Sequence, residues 1–123
     1  MGLKSYKPYT KSTRTTVLVD RKDIWKGSPY KPLTRGKHST GGRNNLGRIT
    51  SRARGAGHKK RYRIIDFHRN KIDVTGTVDR IEYDPNRSSY IALINYEDKS
   101  KTYIICPQDF KIGDKIISGI KKE

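Results

Sequence analysis

The first half of this 123-residue chain almost lacks acidic residues. Only two of the 12 Asp and Glu, Asp20 and Asp23, precede residue 64, whereas 18 of the 28 Lys and Arg do. The second half carries ten basic and ten acidic residues, so the formal net charge of +16 belongs entirely to the first half. This asymmetry indicates a polyanionic partner for the first half, and nucleic acid is the usual one.

Cysteine pairs, histidine clusters and long apolar runs are also missing. Cys106 stands alone, so an internal disulfide is excluded, and the three widely spaced histidines give no zinc-ligand pattern. No apolar run approaches the ~20 residues that a membrane span needs. No carboxylate pair or nucleophile beside a base is recognisable. We therefore expect no membrane partner, no metal, no cofactor and no enzymatic activity.

Apolar residues divide the chain into two predicted parts. They number 15 in residues 1–60 and 24 in residues 61–123. The first part cannot bury enough surface to offset its ordering entropy, so we expect a long extended basic arm that takes shape when a partner neutralises it. One short helix is predicted between Val19 and Gly27, with Asp20 as its cap and Asp23 as the answering residue of a capping box. Trp25 within it is interpreted as a packing anchor.

The second part, residues 61–123, has a β pattern. The phase of its apolar residues slips between Val78 and Ile81, which predicts a β-bulge near Asp79–Arg80. The predicted fold class is mainly β, a small five-stranded OB-type barrel after the arm, with an open meander as the alternative. The five predicted strands are residues 61–67, 72–83, 90–96, 102–106 and 115–118.

The end of the first part is a loop rich in glycine and arginine. Six of the 11 glycines fall in residues 36–57, without helical or strand periodicity. Glycine lets the backbone approach phosphates closely, and arginine grips them with a planar fork. Asn44 and Asn45 add amides that can read base edges or 2′-hydroxyls. The loop is predicted to bind RNA, and a flexible linker is the alternative.

At this point a family resemblance becomes visible. Ile24-Trp25-Lys26-Gly27, GGRNNLGRIT (41–50), RGAGHKKRYRIIDF (54–67) and VDRIEYDPNRSSYIAL (78–93) resemble the second protein of the large ribosomal subunit in its bacterial and organellar form. The resemblance implies an arm threaded into large-subunit rRNA, an OB-fold RNA-binding barrel, and a role in subunit assembly near the peptidyl-transferase region. The predicted RNA-binding residues are Arg35, Lys37, Arg43, Asn44, Asn45, Arg48, Arg52, Arg54, His58, Lys59, Lys60, Arg61, Arg63, Arg80 and Arg87.

The expected function is that of a structural constituent of the large ribosomal subunit, with large-subunit rRNA and other large-subunit proteins as partners. The alternatives are a free OB-fold single-stranded nucleic-acid-binding protein, using Tyr62, Phe67, Tyr83 and Tyr90, and a basic architectural DNA protein.

The resemblance also implies a chain about twice as long, with a second small β-barrel and a C-terminal tail. We therefore expect either a fragment or a split gene, with a separate chain supplying the missing C-terminal half. Isoleucine outnumbers leucine 14 to 5, which indicates an AT-rich genome, and the similarity begins near Leu3, so no added transit peptide is expected. The expected location is the mitochondrial ribosome, and a bacterial cytoplasm is the alternative.

Overall fold

Short antiparallel strands make up most of the regular structure. The computed structural model describes residues 2–55 and 57–119, and the fold is mainly β, as predicted. Its helical elements are one α-helix, α1 (Lys11–Thr15), and a 3-10 turn at Lys31–Leu33. The strands are β1 (Leu3–Ser5), β2 (Val17–Val19), β3 (Thr34–Gly36), β4 (Arg61–Arg63), β5 (Gly76–Glu82), β6 (Ile91–Tyr96), β7 (Lys101–Ile105) and β8 (Lys115–Ile116).

Strands β5 to β8 form one curled antiparallel sheet in the order β7-β6-β5-β8. They correspond to four of the five predicted strands. The bulge is confirmed: Val78 pairs with Ile94 but Arg80 with Leu93, which leaves Asp79 as the extra residue of β5. The added residue bends β5 and increases its twist, which curls the sheet.

The central strand β6 is buried on both faces. Ile91 and Leu93 belong to one apolar cluster, which Tyr30 and Leu33 of the N-terminal half cover. Ala92 and Ile94 belong to the other, which Val74, Ile81, Cys106, Phe110 and Ile116 cover. Because successive side chains of a strand alternate between faces, burial of both explains why residues 91–94 read as an uninterrupted apolar run.

The remaining predicted strand, residues 61–67, does not enter this sheet as a ladder. Its first three residues are β4, which pairs with β3 instead, and after Arg63 the chain makes only a single bridge from Ile65 to Tyr103. The reason is that β3 offers β4 a complete antiparallel partner. The observed architecture is thus a curled four-stranded sheet with a separate two-stranded ladder beside it.

The helix predicted between Val19 and Gly27 is wrong. Asp20 forms an ion pair with Lys22 (3.1 Å) rather than a cap, and its backbone N–H donates to Gly2 O, extending the β1–β2 ladder. The N–H of Trp25 then donates to Ile81 O of β5 (2.9 Å), which turns the chain onto the sheet before a helical turn can continue. The short helix lies earlier, at α1, where Thr10 and Thr13 form a capping box.

Candidate nucleic-acid interface

Residues 24–65 carry twelve Lys and Arg and no Asp or Glu. The ion pairs of the described structure all lie outside this stretch: Asp20 with Lys22, Lys71 with Asp98, Arg80 with Glu82, Arg87 with Asp84, and Lys101 with Asp79. In the described part of residues 24–65, no cation meets a carboxylate. Exposed charges closer together than a Debye length, ~8–10 Å at near-physiological salt, repel one another. A polyanion would relieve that repulsion.

The β3–β4 ladder closes this cationic loop at its base. Arg35 lies opposite Tyr62, and Gly36 lies opposite Arg61. The Asn86 side chain donates to Arg61 O (2.7 Å), which fastens β4 to the turn after β5. The loop of residues 37–60 therefore begins and ends at this ladder, beside the sheet, although the two ends of the loop are far apart in sequence.

A cleft of about 560 Å³ opens where the loop leaves the ladder, between residues 36–39 and 57–60. Its cationic and imidazole side chains are Lys37 and His38 on one side, and His58, Lys59 and Lys60 on the other. Four of these five residues are in the predicted RNA-binding set. His38 was missed, because 20 residues of sequence separate it from His58 and only the ladder brings the two segments together.

Farther out, residues 42–51 form a small hairpin. Gly42 O accepts hydrogen bonds from Thr50 N (2.9 Å) and Ser51 N (3.1 Å), and Arg43 makes a bridge with Ile49. Gly42 has a φ of +72°, and a Cβ added there would lie 2.2 Å from Ser51 O. Glycine is therefore required at this position both by the backbone conformation and by the close approach of the returning chain.

Asn44 supports this hairpin from within. Its Oδ1 accepts from the N–H groups of Leu46 and Arg48, both at 3.0 Å, and its backbone N–H donates to Arg48 O. The predicted base-reading amide is exposed, but its oxygen already accepts two hydrogen bonds from the backbone of the hairpin. The spacing of Asn44 and Gly47 is a turn signal that could have revealed this role. Other predicted residues of the loop stay exposed: Arg43, Asn45, Arg48, Arg52 and Arg54.

The two predicted residues of the sheet, Arg80 and Arg87, are held within the fold. Arg80 Nε donates to Glu82 Oε1 (2.8 Å), and its guanidinium lies over the Trp25 ring at 4.6 Å. Arg87 Nε donates to Asp84 Oδ2 (2.7 Å), and this carboxylate is completely buried. Neither side chain is more than 20% exposed. The structure therefore gives both arginines a role in stabilising buried carboxylates. Trp25, interpreted from the sequence as a packing anchor, lies outside the apolar clusters of the described residues and is 48% exposed.

A buried hydrogen-bond network joins the N-terminal half to the sheet. Tyr30 N–H donates to the hydroxyl of Tyr103 (2.8 Å), and that hydroxyl donates to the Glu82 carboxylate (3.0 Å to each oxygen). Burial, helped by the nearby Glu82 charge, raises the pKa of Tyr103 to about 12. Tyr103 and Glu82 were not singled out from the sequence, because each reads there as an ordinary strand residue.

Three of the four aromatic residues suggested for single-strand stacking lie close to the protein's own arginines. The Arg21 guanidinium lies 3.8 Å from the Tyr83 ring centroid. Arg87 lies 5.9 Å from the centroids of both Tyr62 and Phe67. A base would have to displace these cations to stack on the same faces.

Neither a membrane helix nor a metal cluster is found in the described residues. No helix among residues 2–55 and 57–119 has the length and apolar character to cross a bilayer. Within the same ranges, no three His, Cys, Asp or Glu side chains are grouped closely enough to hold a metal ion.

The fold and the cationic loop together define a class of strongly basic β proteins that carry an acid-free loop beside a curled sheet. A family model described as Ribosomal Proteins L2, RNA binding N-terminal domain, matches residues 30–118. The match covers both the loop and the sheet, and the chain belongs to this ribosomal protein family. The family prediction from the sequence motifs is thereby confirmed.

Three relatives show how far the similarity extends. Each is a large ribosomal subunit protein uL2: the chain is 59% identical to that of Granulibacter bethesdensis over 123 residues, 58% to that of Pelagibacter ubique over 124, and 60% to that of Rickettsia canadensis over 119. These alignments cover 97–100% of this chain but only 44–45% of the relatives. The chain therefore spans less than half the length of the relatives it matches.

Proposed function

We propose that this chain is a structural, non-catalytic constituent of a large ribosomal subunit, which binds large-subunit rRNA and supports subunit assembly and translation. The observation that carries the proposal is the stretch of residues 24–65, whose twelve cations face no carboxylate in the described structure. Family membership and the names of the relatives support rRNA as the polyanion.

Residues 1–60 serve in this proposal as the RNA-gripping arm, and residues 61–123 form an OB-type RNA-binding barrel. The curled sheet and the bulge in β5 support the barrel, and the single bridge from Ile65 to Tyr103 marks where a fifth strand would close it. The hydrogen bonds from Tyr30 N–H to the Tyr103 hydroxyl and from Trp25 N–H to Ile81 O fix the arm's base on the sheet. The cationic residues beyond this base are then held in a defined direction relative to the sheet.

The rRNA-contacting residues of the proposal surround the cleft and the hairpin. Phosphate contacts supply the affinity and position the protein, since Arg and Lys contact phosphates irrespective of sequence. Arg80 and Arg87 are assigned to the fold in this proposal, because the Nε of each donates to a buried carboxylate, Glu82 or Asp84. The proposed contact residues are Arg35, Lys37, His38, Arg43, Asn45, Arg48, Arg52, Arg54, His58, Lys59, Lys60, Arg61 and Arg63.

The names of the relatives, large ribosomal subunit proteins, also support contacts to other proteins of that subunit. The proposed site of action is a ribosome of bacterial type. The bacterial relatives favour a bacterial cytoplasm, and the excess of isoleucine favours a mitochondrial matrix.

Co-sedimentation with charge-matched variants tests the proposal. The tagged full chain is expressed in bacteria, and lysates are separated on sucrose gradients at moderate salt. The variant Arg43→Glu/Arg48→Glu/Arg54→Glu should leave the large-subunit fraction. The control Lys99→Glu/Lys111→Glu/Lys115→Glu changes exposed residues by the same total charge outside the interface and should remain bound.

Two results would refute the proposal. One is a wild-type chain found only in ribosome-free fractions. The other is equal loss of binding in both variants, since net charge rather than the cationic loop would then govern association. Comparable affinity for unstructured single strands and folded rRNA would favour a single-strand-binding protein instead.

A further inference from the structure

The hairpin of residues 42–51 is the best-bonded segment of the cationic loop. Its backbone is closed by the bonds of Thr50 and Ser51 to Gly42 O, and its tip by the two bonds to Asn44 Oδ1 and by Gly47 N to Asn44 O (3.1 Å). All of these bonds join residues within the hairpin itself. A segment with this much internal bonding presents one preferred shape, unlike a flexible cationic tether.

Two exposed side chains of this hairpin are apolar, although binding to phosphates alone would require only cationic side chains. Leu46 at the tip is 73% exposed and Ile49 is 63% exposed. Arg43 and Arg48 flank them, and both arginines are exposed. Cations draw an RNA backbone close irrespective of its sequence, whereas an apolar side chain gains free energy only in a surface shaped to enclose it.

We infer that residues 42–51 form a preorganised RNA-recognition hairpin, which discriminates folded rRNA from other RNA by inserting Leu46 between unstacked nucleotides. Asn44 and Gly47 are its positioning residues, acting through the shape of the tip. The inference rests on the proposed rRNA-binding function and names the part of the interface that provides specificity. Preorganisation favours this, because a tip that is already ordered loses little conformational entropy when it binds.

A pair of glycine substitutions isolates shape from charge. The backbone of Gly47 is in the left-handed region, with a φ of +75°, whereas that of Gly55 is not. A Cβ added at either position would meet nothing within 4 Å. Gly47→Ala therefore strains the hairpin turn, whereas Gly55→Ala adds the same atoms without strain. Both variants keep the net charge of +16. Affinities of the full chain are measured at one salt concentration for bacterial large-subunit rRNA and for an unstructured oligonucleotide.

We expect Gly47→Ala to weaken rRNA binding roughly ten-fold and to leave oligonucleotide binding unchanged, while Gly55→Ala alters neither. Amide exchange of Thr50 and Ser51 in the free protein separates positioning from contact. Asn44→Ala should speed this exchange and weaken rRNA binding. Asn44→Asp, which keeps the acceptor, should restore slow exchange. Leu46→Ala should weaken rRNA binding roughly ten-fold with exchange unchanged.

Three outcomes would overturn the inference. They are unchanged rRNA affinity in Gly47→Ala and Leu46→Ala, equal losses for rRNA and oligonucleotide, and fast exchange of Thr50 and Ser51 in the wild-type protein. If the wild-type chain prefers rRNA and the first outcome is found, the hairpin inference fails and the proposed function stands. If the wild-type chain shows no preference for rRNA, both fail.

Discussion

Replacing Tyr103 with Phe would remove one hydroxyl from the contact between the N-terminal half and the sheet. That hydroxyl accepts from Tyr30 N–H at 2.8 Å and donates to Glu82 at 3.0 Å. Tyr103 is fully buried and Glu82 is 3% exposed, so water cannot easily replace the lost partner. The substitution would leave an N–H without an acceptor and a buried carboxylate with one donor fewer.

The expected cost follows from these two groups. An unsatisfied buried donor costs about 1–3 kcal/mol, and a hydrogen bond to a charged group contributes about 1.5–3 kcal/mol. Glu82 keeps its ion pair with Arg80, so the two terms do not add fully. Tyr103→Phe should therefore lower the free energy of unfolding by about 2–4 kcal/mol. This is a large fraction of the stability of a small domain, which is of the order of 5 kcal/mol.

Urea unfolding of the full chain measures this loss. Far-UV circular dichroism follows the sheet, and fluorescence of Trp25, the single tryptophan, follows docking of the N-terminal half on β5. With an m-value near ~1.5 kcal/mol/M, the midpoint should fall by ~2 M. Tyr96→Phe is the control, since this buried tyrosine's hydroxyl makes no hydrogen bond to the described residues. A loss below ~0.5 kcal/mol in Tyr103→Phe, or an equal loss in the control, would refute the assigned network.

Three further results are expected. Because the folded-state pKa of Tyr103 is raised to about 12 from 10.0, its stabilisation is complete below pH 10 and is lost as the pH rises toward 12; phenolate absorbance should show one late-titrating tyrosine, absent in Tyr103→Phe. Arg87→Ala leaves the Asp84 charge buried without its cation and should cost about 3 kcal/mol in thermal or urea unfolding, whereas an unchanged midpoint would contradict the ion pair's role. Reversing the three loop arginines should make the slope of log K against log salt for rRNA shallower by about 2–3, and an unchanged slope would mean that they do not meet phosphates.

Local patterns predicted the sheet well. The apolar run of residues 91–94 and the shift in apolar alternation after Val78 are both visible in consecutive residues. Strand β6 and the bulge in β5 could therefore be located from the sequence. The pairing of β4 with β3 could not, because it joins residues 25 or more positions apart in sequence. The helix predicted at Asp20 was wrong for the same reason. The hydrogen bond from Trp25 N–H to Ile81 O of β5 joins residues far apart in sequence, and the local capping signals do not reveal it.

The charge of the interface could be predicted, but its shape could not. An acid-free run of cations is visible in composition alone. The cleft that places His38 near His58, and the use of Asn44 as an internal acceptor, exist only after the loop has closed on itself. The sequence also gives no sign that Glu82, two residues after the predicted RNA contact Arg80, is buried and accepts a hydrogen bond from it.

Crosslinking within intact ribosomes tests the RNA-binding role of the cationic loop most directly. Cells that express the tagged chain are irradiated, large subunits are isolated, and peptides joined to rRNA are identified by mass spectrometry. Crosslinks should concentrate in residues 35–63 and be few in the near-neutral sheet of residues 76–116. Crosslinks confined to the sheet, or a loop whose lysines stay open to chemical labelling in the assembled subunit, would contradict an rRNA-bound arm.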